Sequence, residues 1–155
     1  MPTTNQTTAV IRVKKIESQQ ELDQAFDIRR EVFIVGQNCP EKDEFDEFDE
    51  NATHFIAFVK GEPAGTCRYR ETNKGLKLER FAVLEAYRGQ GVGKRLVQTV
   101  LGYIEKENLA PGTLLYLHAQ VDAMGLYSRF GFEKVGERFF EVGIEHFEMQ
   151  KTIEG

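Results

Sequence analysis

The hydrophobic pattern of this chain changes period near residue 91, and that change limits the folds open to it. Upstream, 54–59 and 64–70 flank Lys60-Gly61-Glu62-Pro63, a hairpin signal, and Asn73-Lys74-Gly75 turns the chain again into 76–84. That pattern predicts three consecutive antiparallel strands. Downstream, Val92, Leu96, Val97, Val100, Leu101 and Ile104 are related by offsets of three and four, the stripe of an amphipathic helix that stops near residues 108–112. A strand therefore feeds a helix through a glycine-rich turn.

The rest of the chain fits around that unit. Residues 10–16 alternate as a first strand, and Ser18-Gln19-Gln20-Glu21 is a capping box that opens a helix with Leu22, Ala25, Phe26, Val32 and Phe33 on one stripe, ending at Gly36. A loop follows through Cys39-Pro40 and the acidic run 41–50. Residues 114–118 read as a buried strand, 121–130 as a short helix with Ala123, Tyr127 and Phe130 on one face and Gly131 as its stop, and 132–138 and 142–153 as closing strands. The order β, α, loop, β-β-β, α, β, α, β-β predicts one mixed-sheet α/β (α+β) domain with helices on both faces.

A chain of 155 residues has room for a single core, expected over 10–155 behind a flexible leader, 1–9. No run approaches the roughly 18 apolar residues of a membrane span, and the leader has neither the basic end nor the apolar stretch of a signal peptide, so a cytoplasmic protein with no membrane partner is expected. Cys39 and Cys67 are too few for a disulfide framework and are not spaced as a metal knuckle; they read as reduced thiols, and no metal is expected.

The net charge of -5 is local. Residues 41–50 carry seven acids against Lys42, a sum of -6, which leaves about +1 for the other 145 residues. With no basic stripe, nucleic acid is excluded as an expected partner. Asp43, Asp46 and Asp49 at steps of three, with Phe45 and Phe48 interleaved, suit either a mouth for a cationic amine or a solvated face with two anchoring phenylalanines. The step does not match a calcium loop.

The turn itself reads Tyr87-Arg88-Gly89-Gln90-Gly91-Val92-Gly93-Lys94. Its glycines allow close approach of a ligand to the backbone, and the first amides of the helix point outward at the positive end of the helix dipole. Such a turn cradles phosphate, and Arg88 and Lys94 add charge-assisted contacts. A Walker A loop is excluded, because Arg88 stands where its first glycine belongs and Arg95 where Ser or Thr belongs. A dinucleotide fingerprint is excluded by Lys94 and Leu96 at its third glycine. A ligand-free glycine-rich turn is the plain alternative.

Arg88-x-x-Gly91-x-Gly93 resembles the [QR]-x-x-G-x-[GA] signature of the GNAT superfamily of acetyl-CoA-dependent N-acetyltransferases, here as a small bacterial-type single-domain member. Leu78-Glu79-Arg80-Phe81-Ala82-Val83-Leu84 before it and the segment from Ala123 through Tyr127 to Gly131-Phe132 after it are similar to that family's strand and helix, and the resemblance covers about residues 10–152. It implies the acyl-CoA N-acyltransferase fold, a mixed, mostly antiparallel sheet with helices on both faces. It also implies acetyl-CoA as cosubstrate. The amides of Arg88, Gly89, Gln90, Gly91, Val92, Gly93 and Lys94 would bind the pyrophosphate, and the strand edge at Phe81, Ala82 and Val83 would pair with the pantetheine arm, the Val83 amide near the thioester oxygen. Tyr127 would protonate the departing thiolate; Leu126 replaces a common Phe beside it.

The chemistry implied is direct attack by a primary amine in a ternary complex. An amine with a pKa of about 10.4 must lose a proton, at a cost of roughly 4 to 5 kcal/mol at neutral pH, so a base or water chain is needed. Holding both substrates in one cleft recovers about 7 to 11 kcal/mol. Ser18 and Ser128 are the only serines and no G-x-S-x-G occurs, which agrees with a route that has no covalent enzyme intermediate. Glu79, expected by alternation on the same strand face as Phe81 and Val83, reads as base or water-orienting residue, or as half of a structural ion pair. His118 reads as a base near the acyl group or as a satisfied core histidine; His54 and His146 are weaker candidates, and Tyr127 reads as general acid or core packing. The acceptor is expected to be a small-molecule or peptide amine, and exposed terminal strands point to a homodimer. A catalytically degenerate acyl-CoA-binding regulatory protein and a mononucleotide-binding domain are the rival functions.

Overall fold

A computed structural model describes residues 10–40 and 46–154, the side chain of Glu47 excepted. The leader expected at 1–9 lies outside the described residues, as do Asp43 and Phe45 of the acidic run. Seven strands form one sheet in the order β1-β2-β3-β4-β5-β7-β6. They are β1 (Ile11–Lys15), β2 (Thr53–Val59), β3 (Glu62–Glu71), β4 (Leu76–Val83), β5 (Leu114–Gln120), β6 (Glu133–Glu141) and β7 (Ile144–Thr152). Three α-helices accompany them: α1 (Gln19–Arg29), α2 (Val92–Lys106) and α3 (Met124–Ser128). All strand pairs are antiparallel except β4 with β5. No helix among the described residues is long and apolar enough to cross a membrane.

The helices lie on both faces, as the pattern predicts. The α2 stripe, Val92, Leu96, Val97, Val100 and Ile104, is buried against Phe55, Ala57, Leu115 and Leu117 of the sheet. Each of the Val, Leu, Ile and Phe side chains among these contributes about 1.5 to 3 kcal/mol by leaving water. On the opposite face Ile28 and Val32 pack on Ile56, Phe58 and Ala82. Ser18 caps α1 as expected, its hydroxyl accepting from the Glu21 amide at 3.2 Å, while the Glu17 amide donates to the Glu21 carboxylate at 3.1 Å. The expected continuation to Gly36 is wound as a π-helical turn over Arg30–Val35.

Two features of β4 shape the functional cleft. Parallel pairing with β5 is confined to Leu76 with Leu115 and Lys77 with Tyr116, so the strands diverge beyond Lys77. Arg80 has φ 59°, and the pairing of β3 with β4 shifts register there. This bulge inserts one residue and turns the strand over. Leu78, Phe81 and Val83 face the α2 side, Ala82 faces the α1 side, and Glu79 pairs across the sheet with Arg68 on the α1 side. The expectation that Glu79 shares a face with Phe81 and Val83 is therefore overturned: strict alternation does not survive the bulge.

Candidate functional site: the cleft between β4 and β5

A cavity of about 280 Å³ occupies the gap where the two strands diverge. Phe81, Ala82, Val83 and Arg88 line it from the β4 side, with His118 of β5 and Tyr127 of α3 across from them. The backbone of β4 is unpaired along this edge beyond Lys77. The Leu84 amide donates to Ala64 O of β3 at 2.9 Å, so alternation turns the Val83 amide the other way, toward the gap. Arg88 Nε donates to Val83 O at 3.0 Å and so ties the turn to the end of the strand.

The glycine-rich turn enters α2 directly. Gly91 has φ 91° and caps the helix without a side-chain bond, and the first helical amide to find a carbonyl is that of Arg95, on Gly91 O. The amides of Val92, Gly93 and Lys94 are thus the orphan donors at the positive end of a 15-residue helix. A Cβ at Gly89 or Gly91 would meet nothing within 4 Å, which is room for a ligand to approach the backbone. Gly93 differs: a Cβ there would meet Leu126 of α3 at 3.4 Å, an ordinary packing contact, so this glycine faces α3 rather than open space. Free amides, the helix dipole and open space above the glycines fit a pyrophosphate, and the unpaired β4 edge fits an amide-bearing arm.

Tyr127 is 6% exposed, with the Phe81 ring edge-on at 5.4 Å between centroids and Phe132 behind it at 6.4 Å. Burial, with Cys67 nearby, pushes its phenol well above the ordinary value and keeps it protonated. No hydrogen bond to its hydroxyl is present among the described residues, which leaves the O–H available as a donor into the cleft.

Glu79 also lines the cavity, with its carboxylate held in ion pairs. Its Oε2 accepts from Arg68 Nε at 2.8 Å and from Arg70 Nε at 2.7 Å, and Lys77 Nζ is 3.3 Å from Oε1. Burial would raise its carboxyl, but these three cations outweigh burial and hold it below the ordinary range. Glu79 is the centre of an ion-pair network. The acidic run joins the same network: Arg68 Nη1 reaches Asp46 at 2.9 Å, Arg29 Nη1 reaches Asp49 at 2.7 Å, and Arg80 Nη2 reaches Asp46 at 3.1 Å. Asp46 and Asp49 thus strap residues 46–49 to the sheet, and Phe48 lies under the Arg70 guanidinium at 3.8 Å. Both carboxylates are thus occupied by arginines.

His118 stands in the cleft, its Nδ1 2.8 Å from Glu141 Oε2. His146 also lines the cleft, with Nδ1 2.7 Å from Ile144 O, while His54 is buried on the α1 side against Asp49 O at 2.9 Å. Glu141 was not singled out by sequence. It ends β6 at a two-residue turn whose Val142 has φ 50° and Gly143 φ 76°, and no Asn-Gly or Asp-Gly pair announces that turn. Gln37, in the segment after α1, pairs with Gln120 at the end of β5 through two amide hydrogen bonds of 3.3 Å and spans the cleft.

Comparison with known proteins agrees with this geometry. A family model described as an acetyltransferase (GNAT) domain matches residues 14–153. A Bacillus subtilis protein carrying an acetyltransferase name is 38% identical over 144 residues, covering 91% of this chain and 96% of its own. Protein ElaA of Escherichia coli is 31% identical over 130 residues, 81% of this chain and 84% of its own, and the crystal structure of ElaA superposes with a TM-score of 0.81 over 92% of this chain and 99% of that one. An acyl-CoA N-acyltransferase from Pseudomonas aeruginosa, 29% identical, superposes with a TM-score of 0.78 over 93% and 99% of the two chains. With the splayed β4 and β5, the glycine-capped α2 and the matched family model spanning nearly the whole fold, the chain belongs to the GNAT acetyltransferase family.

Proposed function

We propose that this protein transfers an acetyl group from acetyl-CoA to a primary amine, on a small molecule or a peptide, by direct attack in a ternary complex. The observation that carries the reading is the divergence of β4 from β5 after Lys77, which leaves a strand edge, a cavity and a phosphate cradle in line. The amides of Gly91, Val92, Gly93 and Lys94, with those of Arg88, Gly89 and Gln90, would hold the pyrophosphate, and the β4 edge at Phe81, Ala82 and Val83 would hold the pantetheine arm. When bound, the thioester supplies an activated acyl carbon.

The chain supplies position and proton management. The Val83 amide, turned toward the gap, would donate to the thioester oxygen as charge develops on it, the role of an oxyanion-hole donor. Tyr127, kept protonated by burial, would donate to the departing sulfur. Leu117, Phe81 and Tyr127 would supply the apolar part of the wall beside the acyl group.

The test is release of free thiol from acetyl-CoA across a panel of primary amines comprising polyamines, amino sugars, amino acids and lysine peptides. Amine-dependent release is the expected result. Binding of acetyl-CoA without release on any amine would instead assign the chain the role of a catalytically silent acyl-CoA binder.

A further inference from the structure

A polar cluster at the wall of the cleft is assembled from three strands. His118 comes from β5, Glu141 from the end of β6, and His146 and Glu148 from β7. Nδ1 of His118 is hydrogen-bonded to Glu141 Oε2 at 2.8 Å, and Nε2 lies 3.4 Å from Glu148 Oε1. The imidazole plane is fixed by Phe139, edge-on at 5.0 Å, and Tyr116 at 6.2 Å between centroids. His118, Glu141 and His146 line the cavity, while Glu148 holds Lys74 at the outer surface.

We propose that His118 takes the proton the acceptor ammonium must lose, and that Glu141 is the residue that positions it. By accepting the Nδ1 proton, Glu141 fixes the tautomer whose lone pair is on Nε2 and stabilises the imidazolium once formed. The inference rests on the amine-acetylation reading above and names the proton acceptor of that reaction. One proton moves from R–NH3+ to Nε2, directly or through one water, leaving R–NH2. The amine lone pair forms the C–N bond to the acyl carbon as the C–S bond breaks. Tyr127 gives its proton to the thiolate and recovers one from the acylated nitrogen, and the imidazolium returns its proton to solvent.

Charges of both signs face the imidazole. Glu141 faces it from β6 and Glu148 from β7, opposed by His146 of β7, whose Nε2 is 3.8 Å from Glu141 Oε1, by Lys77 of β4 and by Lys74 beyond Glu148. The His118 hydrogen bond, against burial, in turn holds the Glu141 carboxyl below its ordinary range.

The experiment is an NMR titration of ring-labelled histidines between about pH 5 and 9 in wild type, Glu141→Gln and Glu141→Asp, each free and with coenzyme A. Glu141→Gln should lower the His118 midpoint by about one unit or more and weaken its Nδ1–H tautomer, with Glu141→Asp restoring part of both. An unchanged midpoint and tautomer in Glu141→Gln would overturn the proposal. In turnover with the best amine of the panel, the acid limb of the pH–rate profile should move with the NMR midpoint; a limb that stays in place would also overturn it. Failure of coenzyme A to bind wild type would refute the acyl-CoA reading, and the titration of the free protein would still decide the role of Glu141.

Discussion

Arg68 of β3 and Glu79 of β4 lie directly opposite each other in the sheet and are joined at 2.8 Å between Nε and Oε2, both buried to within 8% exposure. A charge at that depth is tolerated only because its partners are in place. Arg68 also serves Asp46 and Asp49, so it anchors the turn over residues 46–49 to the sheet.

Glu79→Gln should therefore act on stability. Leaving Arg68 short of a charge partner should cost about 3 kcal/mol, read as a lower denaturant midpoint. The stabilisation by coenzyme A should persist in the folded fraction, with kcat within a few-fold of wild type. A loss of kcat of a hundredfold or so at unchanged stability would return Glu79 to the role of base.

The same network predicts acid sensitivity. Burial would raise the carboxyls of Asp46 and Glu79, but Arg68 with Arg80 at the first, and Arg68, Arg70 and Lys77 at the second, hold both below their ordinary values of 3.8 and 4.5. As pH falls the unfolded chain takes up protons first. The stability these groups contribute is whole above those ordinary values and is lost as pH falls through them toward the lower folded ones. Stability measured against pH should fall on the acid side, and the slope should flatten in Asp46→Asn/Glu79→Gln.

Tyr127→Phe removes one hydroxyl and keeps the ring that packs on Phe81 and Phe132. Thermal stability and the coenzyme A response should be nearly unchanged, while kcat falls by about a hundredfold or more if the phenol protonates the sulfur. Steady-state kinetics by thiol release measure this. An unchanged kcat would leave Tyr127 as packing alone.

Gly91→Ala places a Cβ on a residue with φ 91° at the mouth of the cradle. Strain should cost about 1 to 2 kcal/mol, and coenzyme A should bind more weakly because the added methyl projects into the space above the amides. Calorimetric titration of both proteins gives the comparison. Equal affinity would show that the pyrophosphate lies elsewhere.

Much of this was legible because it is local. The Ser18 cap, the Lys60-Gly61 hairpin, the α2 stripe and the glycine turn depend on residues within four positions of one another, and each appears where the pattern places it. What the pattern misplaced depends on distant pairing. The bulge at Arg80 puts Glu79 on the other side of the sheet from Phe81, and nothing in the spacing of 76–84 marks it. Glu141 meets His118 across 23 residues because β7 pairs with β5 and β6 pairs with β7. Asp46 and Asp49 turn inward because arginines 19 or more residues away, on α1, β3 and β4, await them; a charge count over 41–50 sees only their own sign.

The most direct test of the cleft assignment is the thermal midpoint of the protein with acetyl-CoA, coenzyme A, ATP or NAD at equal concentration, since a ligand that binds only the folded state raises it by mass action. A rise with acetyl-CoA and coenzyme A alone is the predicted result. A rise with ATP or NAD and none with acetyl-CoA would contradict it.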